Sequence, residues 1–142
     1  MKPKNPRYWI GVVSHEHVKV GVQQGFAQFC HGKLAPVKKL AKGDYIVYYS
    51  PKEIFGEPIP CRQFTAIGQV NDEEPYQVEQ FPGFKPFRRS IRYFQSKPSA
   101  MSDIIDSLEF VKNKVNWGLY VRRGFFEVSE LDFKTIAQAM KV

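Results

Sequence analysis

The chain has 142 residues, 43% hydrophobic and 25% charged, a balance that excludes an intrinsically disordered chain and suits a single domain over residues 1–142. Lys and Arg number 21 against 14 Asp and Glu, and the net charge of +7 biases partner choice toward polyanions. No apolar run approaches the roughly 20 residues that cross a bilayer, and two cysteines are too few for a disulfide scaffold.

Tyr8 to Val13 reads as a buried strand ending at Ser14, which can cap a short helix through His17, Val18 and Val22 that stops at Gly25. Phe26 to Lys33 mixes aromatic and polar residues without a clean period, as a functional loop or short strand would. Pro36 suits the first turn of a brief helix through Val37 and Leu40. Gly43-Asp44 turns the chain into Tyr45-Ile46-Val47-Tyr48-Tyr49, the strongest strand signal in the sequence. Pro51, Gly56, Pro58 and Pro60 mark a long loop before a second strand over 64–70.

The acidic turn 71–75 leads to a strand from Tyr76 to Phe81, a turn at Pro82-Gly83, and another strand from Phe87 to Phe94. Ser102 can cap a helix with Ile104, Ile105 and Leu108 on one face. Trp117-Gly118 precedes a last strand over 125–128. Ser129 and Asp132 form a capping pair for a final helix whose buried stripe is Phe133, Ile136, Ala137 and Met140. Strands with short helices at intervals imply an α+β domain on a curved sheet or small β-barrel.

Signals for catalysis are poor. Cys30 and His31 are adjacent, so on a strand their side chains would point to opposite faces, and a structural thiol is the simpler account. Cys30, His31, Cys61 and His15 or His17 have no zinc-site spacing. No Gly-rich phosphate loop is present, so neither a metal nor another cofactor is expected.

The nucleic-acid signals are better. Lys85, Arg88, Arg89, Arg92 and Lys97 alternate with Phe84, Phe87, Tyr93 and Phe94, and cations beside planar rings suit phosphates whose bases can stack. On an extended strand Arg88, Ser90 and Arg92 share one face, with Arg89, Ile91 and Tyr93 on the other. Arg122, Arg123, Lys112 and Lys114 add charge further on. Ser14, Tyr48, Tyr49 and Ser50 fall at predicted strand ends, where aromatic walls, hydroxyls and an amide such as Gln28 could hold a flat ring.

Several segments together resemble the small bacterial EVE-domain proteins. They are Tyr8 to Ser14, Gly25 to Pro36, Gly43 to Lys52, Phe64 to Gly68, Phe87-Arg88-Arg89, Trp117-Gly118 and Gly124 to Val128. The resemblance spans nearly the whole chain. It implies a PUA-like fold related to YTH domains and a non-catalytic, nucleic-acid-binding reader of a modified cytosine or adenine in DNA or RNA. By that analogy Ser14, Phe26, Gln28, Tyr49, Ser50 and Pro51, with Phe84 or Phe87 as a further wall, line the base pocket. Lys33, Arg88, Arg89 and Arg123 would hold phosphates. YTH cages use tryptophans, whereas Phe26 follows Gly25 here, which favours a slot for a flat base. The alternatives are a nucleotide-related enzyme using Cys30 and His31, or an RNA-associated scaffold. The expected setting is cytoplasmic and monomeric, without a membrane.

Overall fold

The computed structural model describes residues 5–112 and 118–142. Strand β1 (Tyr8–Val12) is followed by helix α1 (His15–Gln24), β2 (Phe26–Ala27), a 3₁₀ turn at Cys30–Gly32 and α2 (Leu34–Lys39). Then come β3 (Tyr45–Lys52), β4 (Pro60–Val70), β5 (Tyr76–Gln77), β6 (Phe87–Tyr93) and β7 (Ser99–Ala100). Helix α3 (Met101–Ile104), α4 (Gly118–Val121), β8 (Phe125–Val128) and α5 (Glu130–Ala139) complete the chain.

The strands form one mixed sheet in the order β2-β6-β4-β3-β1-β8, with β5 on β6 and β7 on β4. It curls into a half-barrel. β1 lies parallel to β3, with Ile10 opposite Val47, and antiparallel to β8, with Ile10 opposite Phe126. The long hairpin of β3 and β4 shifts register after Tyr48 and again after Ser50. Such irregularities bend a strand and increase its twist.

Both faces of the sheet are buried, and successive residues feed opposite cores because side chains alternate along a strand. Trp9, Ile46, Tyr48 and Ala66 join Val18 of α1, Phe29, and Val37 of α2 in one core. Ile10, Val47, Tyr49 and Ile67 join Met101 of α3, Phe133 and Ile136 of α5, and Met140 just past its end in the other. The apolar stripe of α5 thus covers one face, while α1 and α2 cover the other.

Local chemistry sets the ends of these elements. Gly25 ends α1 at φ +77°, where its N–H donates to the Gly21 carbonyl at 2.7 Å, a left-handed cap that glycine adopts without strain. The Asp132 N–H donates to Ser129 Oγ at 3.1 Å, capping α5. The Asp132 carboxylate does not reach back to the cap; it accepts from the N–H groups of Glu109 and Phe110 at 2.8 and 2.9 Å. Asp44 is likewise buried, accepting from the Arg7 and Ala41 N–H groups and from Trp9 Nε1, each at 3.0 Å.

Two expected elements differ. The strand from Tyr76 reaches only Gln77. Beyond it the chain folds on itself, with the Phe84 N–H donating to the Phe81 carbonyl and the Gln80 N–H to the Phe84 carbonyl. Ser102 does not cap α3. Ala100 stands at that position because β7, paired with β4, runs directly into the helix. That helix is a single turn continued by a 3₁₀ turn at Ile105–Ser107. Trp117 and Lys114 lie outside the described residues.

Candidate nucleic-acid interface

A cavity of about 650 Å³ opens on the α1 side of the sheet. Val12, Val13 and Ser14 reach it from the end of β1, Phe26, Gln28 and Phe29 from the segment after α1, and Tyr48 and Pro51 from β3. Cys30, His31 and Gly32 supply a further edge, and Gln80, Phe81 and Phe84 supply the wall opposite. Its size fits the range of small-ligand sites, and its lining is mainly apolar with a few convergent polar groups.

The walls are aromatic. Phe81 and Phe84 stack at 5.0 Å between centroids, and the Phe55 ring meets His31 edge-on at 5.7 Å. Phe55 and Phe81 are 66% and 56% exposed, so two large rings line the cavity while facing solvent. Phe29 packs between Phe125 at 4.7 Å and Tyr48 at 5.4 Å. Burial pushes the Tyr48 phenol well above its ordinary pKa, so it stays a neutral donor.

Polar groups enter at few points. The Ser14 hydroxyl, on a residue 9% exposed, has no hydrogen-bond partner, although Ser14 stands at the N-cap of α1. A buried hydroxyl left unpaired costs about 1–3 kcal/mol, which makes this one available to a ligand. On the far side Arg88 lies over the Phe26 ring at 3.6 Å. Arg88 Nε donates to Gln28 Oε1 at 2.9 Å and its Nη2 donates to Gln80 Oε1 at 3.2 Å. The Tyr93 hydroxyl donates to the Phe26 carbonyl at 2.8 Å and holds that wall from behind.

Backbone geometry around the cavity is specific. Cys30 and His31 both adopt left-handed φ values, +50° and +61°. For residues with side chains such conformations cost of order 1–3 kcal/mol each, and they cluster at sites where the fold imposes them. No hydrogen bond joins the Cys30 and His31 side chains. Gly11 matters for a different reason: a Cβ there would stand 2.2 Å from Phe29 Cε1. Gly11→Ala therefore forces the Phe29 ring to move. It should destabilise the fold by about 1–3 kcal/mol, read as a lower urea midpoint, and perturb the cavity that Phe29 lines.

The expected site residues separate into groups. Ser14, Phe26, Gln28, Pro51 and Phe84 line the one cavity. Tyr49 does not: it belongs to the opposite core, because alternation along β3 sends Tyr48 and Tyr49 to different faces. Tyr49 and Pro51 instead border a shallow cleft with Lys52, Pro58, Pro60 and Arg62. Ser50 is fully buried, its hydroxyl 2.8 Å from that of Thr65. Phe87 is half-buried against the core on the α1 side.

The expected phosphate contacts divide as well. Lys33 and Arg123 are exposed, and Arg88 is half-buried. Arg89 is a correction. It is 0% exposed, its Nε donates to Asp72 Oδ1 at 2.7 Å, and its Nη atoms donate to the carbonyls of Val37, Leu40 and Asp72. A guanidinium so engaged presents nothing to a phosphate. Lining residues not foreseen include His17, Val20, Phe55, Gln80 and Phe81, together with Lys52, whose exposed amine lies at the cavity edge. Tertiary folding brings them together across separate segments, and no local motif marks them.

Among the described residues no helix is long and apolar enough to cross a membrane. Solved structures share the architecture. One is a hypothetical protein from Leishmania major, with a TM-score of 0.63, 12% identity and 96% of each chain covered. Another is the YTH domain of the Zygosaccharomyces rouxii MRB1 protein in complex with N6-methyladenosine RNA, with a TM-score of 0.63 and 14% identity. It covers 99% of this chain and 90% of the other. By sequence the chain is 46% identical over 138 residues to the UPF0310 protein YdcG of Bacillus subtilis, covering 97% of this chain and 94% of the relative. It is 45% identical over 135 residues to the UPF0310 protein msl3206 of Mesorhizobium japonicum, covering 94% and 91%. The EVE domain model matches residues 7–139, and the chain belongs to the EVE-domain family.

Proposed function

We propose that the cavity receives a planar nucleobase turned out of a nucleic-acid strand, a modified cytosine or adenine, and that the chain is a non-catalytic reader of that base. The observation that carries this reading is an aromatic cavity of about 650 Å³ whose lining includes a buried hydroxyl without a partner, Ser14 Oγ. Aromatic faces reward any flat heterocycle by stacking, worth about 1–3 kcal/mol per base. A hydroxyl and the Gln28 and Gln80 amides can read its hydrogen-bonding edge, since a site built to bond a polar group rejects an analogue lacking it. The Zygosaccharomyces rouxii YTH domain, solved with N6-methyladenosine RNA, shares the fold and supports a nucleic-acid partner.

The second half of the reading is the cationic surround. Lys33, Lys52, Arg88 and Arg123 would neutralise backbone phosphates on either side of the inserted base. Extruding a base costs a few kcal/mol of stacking and pairing, least where the strand is already single. Phosphate contacts supply affinity that is independent of sequence and falls with salt as counterions are released.

The test is equilibrium binding of short DNA and RNA strands, each with and without a methylated cytosine or adenine, at two salt concentrations. A strand carrying the recognised modification should bind about fivefold or more tightly than its plain counterpart. Its affinity should fall with a log–log salt slope of about −0.7 per neutralised phosphate. Equal affinity for modified and plain strands throughout the panel removes the reader assignment.

A further inference from the structure

Beside the cavity, and separate from it, His15, Glu53 and Cys61 converge from three elements. One donor atom from each lies within 4.8 Å of the other two. His15 opens α1, Glu53 follows the last residue of β3, and Cys61 is the second residue of β4. His15 Nδ1 is 3.0 Å from both carboxylate oxygens of Glu53. The backbone frames the group: the Glu16 N–H donates to the Glu53 carbonyl at 2.9 Å, and the Glu53 N–H donates to the Ile59 carbonyl at 3.0 Å. All three residues are half-buried, neither loose on the surface nor sealed from solvent.

We propose that His15, Glu53 and Cys61 bind a divalent transition-metal ion of the zinc class. The donor set is one nitrogen, one oxygen and one sulfur, the mixture that borderline-soft Zn²⁺ accepts and that hard Mg²⁺ or Ca²⁺ does not. Bonds of about 2.0–2.3 Å in tetrahedral array put ligand atoms about 3.5 Å apart, so small side-chain rotations close the present spacing. Three protein ligands leave a fourth position for water or an exogenous anion.

On binding, the Cys61 thiol gives its proton to solvent as Sγ bonds to the metal and its weak donation to Gln63 Oε1, at 3.6 Å, is lost, while the hydrogen bond between His15 Nδ1 and Glu53 opens and the neutral ring keeps its proton on Nε2. The Lys19 amine acts on both Glu53 and Cys61, favouring their charged forms while repelling a bound cation. The ion would fasten the start of α1 to the 53–59 turn. That turn carries Phe55 to the edge of the cavity, while Ser14 precedes His15 directly. The site therefore couples to the cavity through two of its lining residues. It does not rest on the base-reading proposal.

Cobalt(II) titration of the reduced full chain tests it. One equivalent should give a near-ultraviolet thiolate-to-metal charge-transfer band together with the visible bands of a four-coordinate ion, and zinc should displace both. Cys61→Ser should abolish the charge-transfer band, while Cys30→Ser should leave it intact. His15→Ala should weaken zinc binding by at least about tenfold, since even outer-shell partners of a metal ligand are worth 10- to 100-fold. Zinc should raise the thermal midpoint of the unaltered chain and not that of Cys61→Ser, a readout indifferent to nucleic acid. The proposal is overturned if no charge-transfer band forms, or if the band survives Cys61→Ser or disappears in Cys30→Ser.

Discussion

Arg89→Ala should lower the stability of the fold by about 3–5 kcal/mol, the largest loss expected from any single change at a charged residue here. The guanidinium is wholly buried between β6 and α2, where it meets Asp72 and the end carbonyls of the helix. Its removal leaves Asp72 without its cation and strips the Val37 and Leu40 carbonyls of a shared donor. The Leu40 carbonyl loses that donor, while the Val37 carbonyl keeps only the Leu40 N–H at 3.3 Å, so part of the desolvation cost is no longer offset. Asp72 also accepts from the Ser90 N–H at 2.8 Å, so the anchoring of the acidic turn to β6 weakens with the pair. Urea denaturation of Arg89→Ala against Arg88→Ala makes the comparison. Arg88 is half-buried, and its loss should cost far less stability. If the two variants unfold at the same midpoint, the buried network is not what holds this corner.

Phe26→Leu should weaken binding of the recognised strand by about 5- to 150-fold, the equivalent of the roughly 1–3 kcal/mol that one stacked base contributes. Leucine retains apolar volume at a buried position, so the fold survives while the flat face is lost. The change also removes the ring beneath Arg88, leaving its guanidinium held by Gln28 and Gln80 alone. Stacking tolerates every base, so the loss should fall on modified and plain strands alike. Ser14→Ala should instead narrow the gap between them, because the hydroxyl reads an edge. Fluorescence anisotropy with both strands distinguishes the two effects. Unchanged affinity in Phe26→Leu rules out the aromatic slot.

The alternation of β6 is legible in the sequence, and it assigns its arginines to opposite faces. Placing Arg88, Ser90 and Arg92 on one face puts Arg89 with Ile91 and Tyr93 on the other. In the folded chain Arg89 and Ile91 are buried and Arg92 is exposed. A period of two already separated the arginine that can meet solvent from the one that cannot. Only the position of Asp72, 17 residues earlier, shows why a cation is tolerated inside. The same period divides Tyr48 from Tyr49, so one tyrosine borders the cavity and its neighbour joins the opposite core, against Phe64.

By itself the sequence determined the strands β1, β3, β4, β6 and β8, the glycine end of α1, and the serine cap and buried stripe of α5. These depend on residues adjacent or a few positions apart, whose periodicity and capping chemistry operate within a single element. The resemblance to EVE-domain proteins grouped Ser14, Phe26 and Gln28, and these three line one cavity. The tertiary structure alone decided that Gln80 and Phe81 join Phe84 in the opposite wall, and that Phe55 and Lys52 border the same cavity. It alone gathered His15, Glu53 and Cys61. Those neighbours lie many residues apart, and their proximity follows from how a twisted sheet curls and where its connections return. No local pattern of side chains encodes that return; the mutual burial of two cores fixes it.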